Sequence, residues 1–169
     1  ETTTNHVKYD FTSMDDMFNS CKSLTSLNLS GFCTPNATNM KRMFIYCESL
    51  TSLDLSSFET SNVTDMSRMF GACKNLSSLN LSSFNTSNVT SMESMFCGCK
   101  ADSIDLSNFD TSQVTNMCHM FSKCRIDNLD LRSFNTSKVT DMREMFNDCK
   151  TSILDLRSFN TSKVTNMIE

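Results

Sequence analysis

Tryptophan is absent from these 169 residues, proline occurs once and glycine three times. Enzyme folds spend glycine on tight turns and phosphate-cradling loops. The sequence shows no phosphate loop, nucleophile elbow or paired-acid motif, so no enzyme activity is expected. Histidine occurs only at His6 and His119. No run of basic residues exists, and 15 Lys and Arg against 19 Asp and Glu give a formal charge of -4. A nucleic-acid partner is therefore not expected. No apolar stretch approaches the roughly 20 residues that span a bilayer. Glu1-Thr2-Thr3-Thr4 reads as neither a signal peptide nor a natural start, so a segment of a longer protein is expected.

What is abundant is polar and small. Ser, Thr and Asn make up more than a third of the chain, a bias that suits disorder. Thirteen Phe and 13 Met oppose that reading, because such side chains bury surface. Their spacing explains them. Met-Phe pairs start at Met17, Met43, Met69, Met95, Met120 and Met145, at intervals of 26, 26, 26, 25 and 25 residues. A cysteine follows each Phe by three residues (Cys21, Cys47, Cys73, Cys99, Cys124 and Cys149), and another Met precedes each pair by three. Self-similarity at this period is the signature of stacked repeats that bury their apolar faces only against one another.

The third copy shows what one unit is expected to build. Leu53 and Leu55 alternate with Ser52, Asp54 and Ser56, the pattern of a half-buried strand. Glu59 to Asn62 form a polar turn and Val63 returns to the core. Met66, Met69, Phe70 and Cys73 then fall at i, i+3, i+4 and i+7, one face of a short helix, with Asp65 in its first turn. The expected fold is α/β: a single right-handed β-α solenoid over residues 1–169, with six to seven rungs of 25–26 residues, one parallel sheet and short helices. The last three copies lose one residue between cysteine and strand, which places the deletion in the return loop. Residues 1–13, with Val7, Tyr9 and Phe11 alternating, suit an N-terminal cap. At the other end Met167-Ile168-Glu169 stops one residue after a helix should begin, so further chain or a docked partner is expected there.

Residues 83–99, Ser-Phe-Asn-Thr-Ser-Asn-Val-Thr-Ser-Met-Glu-Ser-Met-Phe-Cys-Gly-Cys, and their siblings are similar to the 26-residue repeat of bacterial surface proteins. That family is the BspA-like, or mycoplasma-lipoprotein-type, leucine-rich repeat, and the resemblance runs over residues 11 to 167. It implies a leucine-rich-repeat-like superhelix at the surface of bacteria or of some protists. It also implies a location outside the cell or on its surface, and a role in adhesion or partner binding, with a protein or glycan of a host or neighbouring cell as ligand.

The candidate site is the outward column between the two inward side chains of each strand: Asn28, Asp54, Asn80, Asp105, Asp130 and Asp155, joined by Arg132 and Arg157 two residues on. Stacked strands lie about 4.8 Å apart, so Asp105, Asp130 and Asp155 repel unless they are screened, paired or metal-bound. One reading is a solvated face with compensated charge. The other is a ligand surface comprising Asp54, Asn80, Asp105, Asp130, Arg132, Asp155 and Arg157, since the strand face of leucine-rich repeats is the usual binding face. No cofactor or metal is assigned. Calcium wants six to eight oxygens, and the spacing of Cys97, Cys99, Cys118, His119 and Cys124 is that of no known zinc finger. Six cysteines take apolar places and suit buried thiols, unpaired because neighbouring helices pack about 8 to 10 Å apart. Cys33, Cys97 and Cys118 are the expected exposed extras. Nine Asn-x-Ser/Thr sequons follow by chance from a repeat rich in those residues. A structural spacer or head-to-tail filament is the alternative role, through the unfinished last rung.

Overall fold

A computed structural model describes residues 11–168. Its organisation is clearest from where the backbone hydrogen bonds go. In the third copy the amides of Met66, Arg68, Phe70 and Ala72 donate to the carbonyls of Ser91, Glu93, Met95 and Cys97 in the next copy, at 2.7–3.1 Å. The intervening amides of Met69, Gly71 and Cys73 fold back onto the carbonyls three residues earlier. Every second amide therefore bonds between copies, and the others close β-turns. The pattern repeats with Met40, Arg42, Phe44 and Tyr46, and again with Met92, Ser94, Phe96 and Gly98. Parallel bridges join Ser13, Asn39, Asp65, Ser91, Asn116, Asp141 and Asn166 in file, one residue from each of seven successive copies.

This corrects the expected β-α rung, because no helix exists among the described residues. The spacing i, i+3, i+4, i+7 belongs equally to two consecutive four-residue turns. Met66 and Met69 are the inward corners of one, Phe70 and Cys73 those of the next, and all four are buried. Each turn has its third residue in the left-handed region: Arg68 at φ 59° and Ala72 at φ 57°. Such a residue interrupts any helix, and glycine or asparagine is its usual choice. Here Asp16, Arg42, Arg68, Ser94, His119 and Glu144 fill one such column. Ser20, Tyr46, Ala72, Gly98, Lys123 and Asp148 fill the other. Asp65 is likewise no helix-dipole partner. Its Oδ1 accepts the Ser67 amide at 2.8 Å and opens the first turn.

The expected single sheet is also corrected. Four short strands, β1 (Ser52–Asp54), β2 (Ser78–Asn80), β3 (Lys100–Ser103) and β4 (Arg125–Asn128), form two separate parallel pairs, β1 with β2 and β3 with β4. In the longer copies a turn closed by the Leu76 amide on the Cys73 carbonyl follows the cysteine, and the strand starts only at Ser78. The shorter copies lack that turn, so extension starts at once with Lys100 and Arg125. The missing residue thus moves the strand along the coil and splits the sheet.

Like side chains stack between the bridges. Phe18, Phe44, Phe70, Phe96, Phe121 and Phe146 form a file of rings with centroids 5.3–6.0 Å apart and planes within 12° of parallel. That spacing lies within the range favoured by aromatic pairs. Met40, Met43, Met66, Met69, Met92, Met95, Met117 and Met120 are fully buried. Inside this apolar stack runs a polar column, Thr34, Thr60, Thr86, Thr111 and Thr136, also buried. The Thr111 hydroxyl donates to the Asn135 carbonyl at 3.0 Å and accepts the Asn135 amide at 2.8 Å. Thr34, Thr60 and Thr136 clasp Glu59, Asn85 and Asn160 in the same way. Val7 and Tyr9 of the expected cap lie outside the described residues, and Phe11 is 39% exposed.

Two stability changes follow, both read by chemical denaturation. Thr111→Val removes both bonds to the Asn135 backbone, which is only part-buried there, and lowers stability by about 1 kcal/mol, whereas Thr111→Ser costs less than half of that. Lys123→Gly relieves a left-handed lysine (φ 56°) on the surface and raises stability by roughly 0.5–1 kcal/mol. A helix at this position would instead be weakened by glycine.

Candidate functional site

The outward Asx column is built by its own turns. The backbone amides of Ser30, Ser56, Ser82, Ser107, Arg132 and Arg157 donate to Oδ1 of Asn28, Asp54, Asn80, Asp105, Asp130 and Asp155, at 2.9–3.1 Å. Asparagine and aspartate recur at this position because a short acceptor two residues upstream caps the exposed amide. Asp54 and Asn80 close β1 and β2, and the Asn80 amide group donates to Asp54 Oδ1 at 3.0 Å. Asp105 and Asp130 stand two residues beyond β3 and β4, and Asp155 has no strand beside it. The seven candidate residues therefore share one column of turns, of which only the first two members lie on strands.

Arg132 and Arg157 each pair within their own coil. Nε and Nη2 of Arg132 donate to both carboxylate oxygens of Asp130 at 2.9 and 2.6 Å, and Arg157 grips Asp155 at the same two distances. These guanidinium bonds, aided by the backbone amide, hold the carboxyls of Asp130 and Asp155 down to about 2. Asp105 has no arginine beside it. Its bonds to Ser107 lower it, while the neighbouring Asp130 charge works the other way. Asp54 is lowered chiefly by the Ser56 amide. Between the fifth and sixth coils a cleft of about 590 Å³ opens, lined by Ser103, Asp105, Ser107, Asn128, Asp130 and Arg132 among others. One carboxylate in it is tied to a cation and the other is not, so the cleft presents an acceptor next to a fixed ion pair.

The sulfur atoms sit differently from expectation. All nine described cysteines are free thiols. The expected separation of helices does not apply, since the copies stack as parallel bridges about 4.8 Å apart. Cys124 Sγ and Cys149 Sγ lie 3.1 Å from each other. Cys47 and Cys73 instead donate to the Phe18 and Phe44 carbonyls at 3.2 Å. Burial pushes the Cys47 thiol up to about 11 and Cys99 to about 12, which keeps them protonated and inert. Cys118, expected on the surface, is only 3% exposed. His119 Nδ1 faces Glu144 at 3.5 Å, and among the described residues no three His, Cys, Asp or Glu side chains are grouped to hold a metal.

One charged column escapes a linear reading. The residue after each ladder cysteine is Lys22, Glu48, Lys74, Lys100, Arg125 and Lys150. Its members are 25 or 26 residues apart and never form a basic run, so only the period reveals them.

The Asp130–Arg132 pair carries a pH signature. The folded carboxyl titrates below its unfolded value of 3.8, so the pairing stabilises above that value and is lost as pH falls through about 2. An NMR titration of the Asp130 carboxyl is expected to show a midpoint near 2 that rises toward the ordinary aspartate range in Arg132→Gln; an unmoved midpoint would contradict the assignment.

No curated protein and no solved structure matches the chain. Two overlapping stretches, residues 4–103 and 72–169, match the family described as Mycoplasma protein of unknown function, DUF285. Between them they take in nearly all of the sequence, and the period of buried Met, Phe and Cys runs through both, so the chain belongs to that family of repeat proteins.

Proposed function

We propose that this chain is a non-enzymatic recognition module of a cell-surface or extracellular protein, of the BspA-like kind, and that it binds a protein or glycan of a host or neighbouring cell. The binding face is the column of Asp54, Asn80, Asp105, Asp130, Arg132, Asp155 and Arg157. The observation that carries this reading is the cleft beside Asp105, Asp130 and Arg132, where the polar groups are fixed before any ligand arrives. Each carboxylate is held by an amide two residues on, so little side-chain freedom remains to be lost on binding. Catalysis has no comparable support. Burial holds the Cys47 and Cys99 thiols protonated, and the Asp130 carboxyl is fully ionised at neutral pH.

The alternative, a spacer that associates head to tail, rests on the last described coil. Ile153, Met167 and Ile168 are 76%, 57% and 68% exposed there. A second copy offering the partly buried Met17 and Phe18 would continue the same files. Sedimentation separates the roles, since a monomer that does not change with concentration excludes the filament.

The recognition reading is tested by capture on an array of host matrix and cell-surface proteins. Asp130→Ala and Arg132→Ala are expected to weaken capture at least about fivefold, equivalent to about 1 kcal/mol, with unfolding midpoints little changed. Undiminished capture by both variants would move the binding site off this face.

A further inference from the structure

A second groove lies elsewhere on the coil surface and shares no residue with the Asx cleft. It measures about 710 Å³ and is lined by Arg68, Lys74, Lys100, Lys123 and Arg125, with Tyr46 at one end and no carboxylate in its walls. Its shape comes from the second column of left-handed residues. Between the larger Tyr46 and Lys123 that column holds Ala72 and Gly98, whose missing side chains leave a trough. A Cβ added at Gly98 would come no nearer than 3.6 Å to Ala72, so the trough is open rather than filled by packing.

Its charges are arranged by the backbone. The amides of Lys100, Arg125 and Lys150 each donate to the ladder cysteine of the preceding coil, Cys73, Cys99 and Cys124. Lys100 is paired with Arg125 across β3 and β4, and Arg125 with Lys150 across the next bridge. Three cations thus stand in file about 4.8 Å apart. Like charges directly opposite on neighbouring strands repel. Two of the lining cations are neutralised from beyond the walls: Lys74 has Glu48 at 2.9 Å and Arg68 has Glu93 at 2.7 Å. Among the described residues no carboxylate comes within ion-pair distance of Lys100, Lys123, Arg125 or Lys150. In a chain of net charge -4 these four cations are exposed, and the acids that follow them in β3, β4 and the left-handed column, Asp102, Asp127 and Asp148, form no ion pair with them.

We propose that the groove lined by Lys74, Lys100, Lys123 and Arg125 binds a sulfated polysaccharide. A file of cations at one per coil calls for a ligand carrying at least one permanent anion per sugar unit. Sulfate esters supply that density, whereas a glycan with a carboxylate on every second sugar does not. The Tyr46 ring, 45% exposed at the groove's end, offers a flat apolar face to a pyranose ring. Nucleic acid fits less well, because single strands are held on several aromatic platforms and the groove has one. An extended acidic peptide would seek free backbone groups, and here those groups are already used between coils.

Calorimetric titration with a heparin-derived hexasaccharide at low and at physiological salt tests the assignment. Binding is expected, weaker at the higher salt because the cations are exposed. Lys100→Gln with Arg125→Gln is expected to lower affinity about tenfold or more, and Lys123→Gln to lower it by itself. The control pair Lys138→Gln with Lys163→Gln removes the same charge from exposed sites outside the groove and is expected to stay within about twofold of the unaltered protein. Unfolding midpoints of the groove variants should equal or exceed the original, since a repulsion is removed. Absence of binding overturns the proposal, as do equal losses in the groove and control variants. Equally tight binding of unsulfated heparosan, polyglutamate or an oligodeoxynucleotide of matched length also overturns it. None of these results bears on capture through the Asx column, whose residues are left unaltered.

Discussion

The fold depends on one requirement: a buried, non-helical backbone must bond its amides somewhere, and here every second amide reaches the next coil. An isolated unit of 25 or 26 residues has no partner for the amides of Met66, Arg68, Phe70 and Ala72. It therefore has no reason to hold Arg68 and Ala72 in the left-handed region, which costs about 1–2 kcal/mol per residue for an L-amino acid. Stacked, the same unit satisfies both those amides and the turns they punctuate. The cost of the strained residues is offset only by neighbours, so stability belongs to pairs of coils rather than to single ones.

The same requirement explains why polar residues stand in the core. Thr34, Thr60, Thr86, Thr111 and Thr136 are buried, yet each hydroxyl bonds a backbone carbonyl of the next coil. Ser57 does similar work on the carbonyls of Leu29 and Phe32, and Asn108 on those of Leu81 and Phe84. The high content of Ser, Thr and Asn, which by composition alone suits disorder, is in large part structural: these side chains serve as backbone partners.

Much of this was legible in the sequence, and the misses have a common cause. The period, the membership of the Met, Phe and Cys files and the place of the deletion all follow from counting. The helix does not survive, because Met66, Met69, Phe70 and Cys73 occupy inward corners in two successive turns just as they would on one helical face. What separates the two is the conformation at Arg68 and Ala72, and neither residue type advertises φ above zero. Glycine marks that column once, at Gly98. Aspartates 105, 130 and 155 were legible as one column but not as turn caps beyond strand ends, because a single missing residue shifts β3 and β4 toward the preceding cysteine. The spacing of the sulfur atoms went astray for the same reason, since separations appropriate to helices were applied to coils that stack like strands.

A repeating chain places equivalent residues in file, so any charged position becomes a column whose repulsion must be managed. Three solutions coexist here. In the first left-handed column and beside it, each arginine is met by an acid of a neighbouring coil: Arg42 by Asp16 and Arg68 by Glu93. In the Asx column each of the last two coils carries its own counter-ion, Arg132 on Asp130 and Arg157 on Asp155, so the pair rather than the charge is repeated. In the column after the cysteines, Glu48 neutralises Lys74, but Lys100, Arg125 and Lys150 follow without any such partner. The first two solutions show that compensation needs only one substitution per coil. A file left uncompensated beside an open groove is thus the part of this surface whose charge the fold itself does not explain.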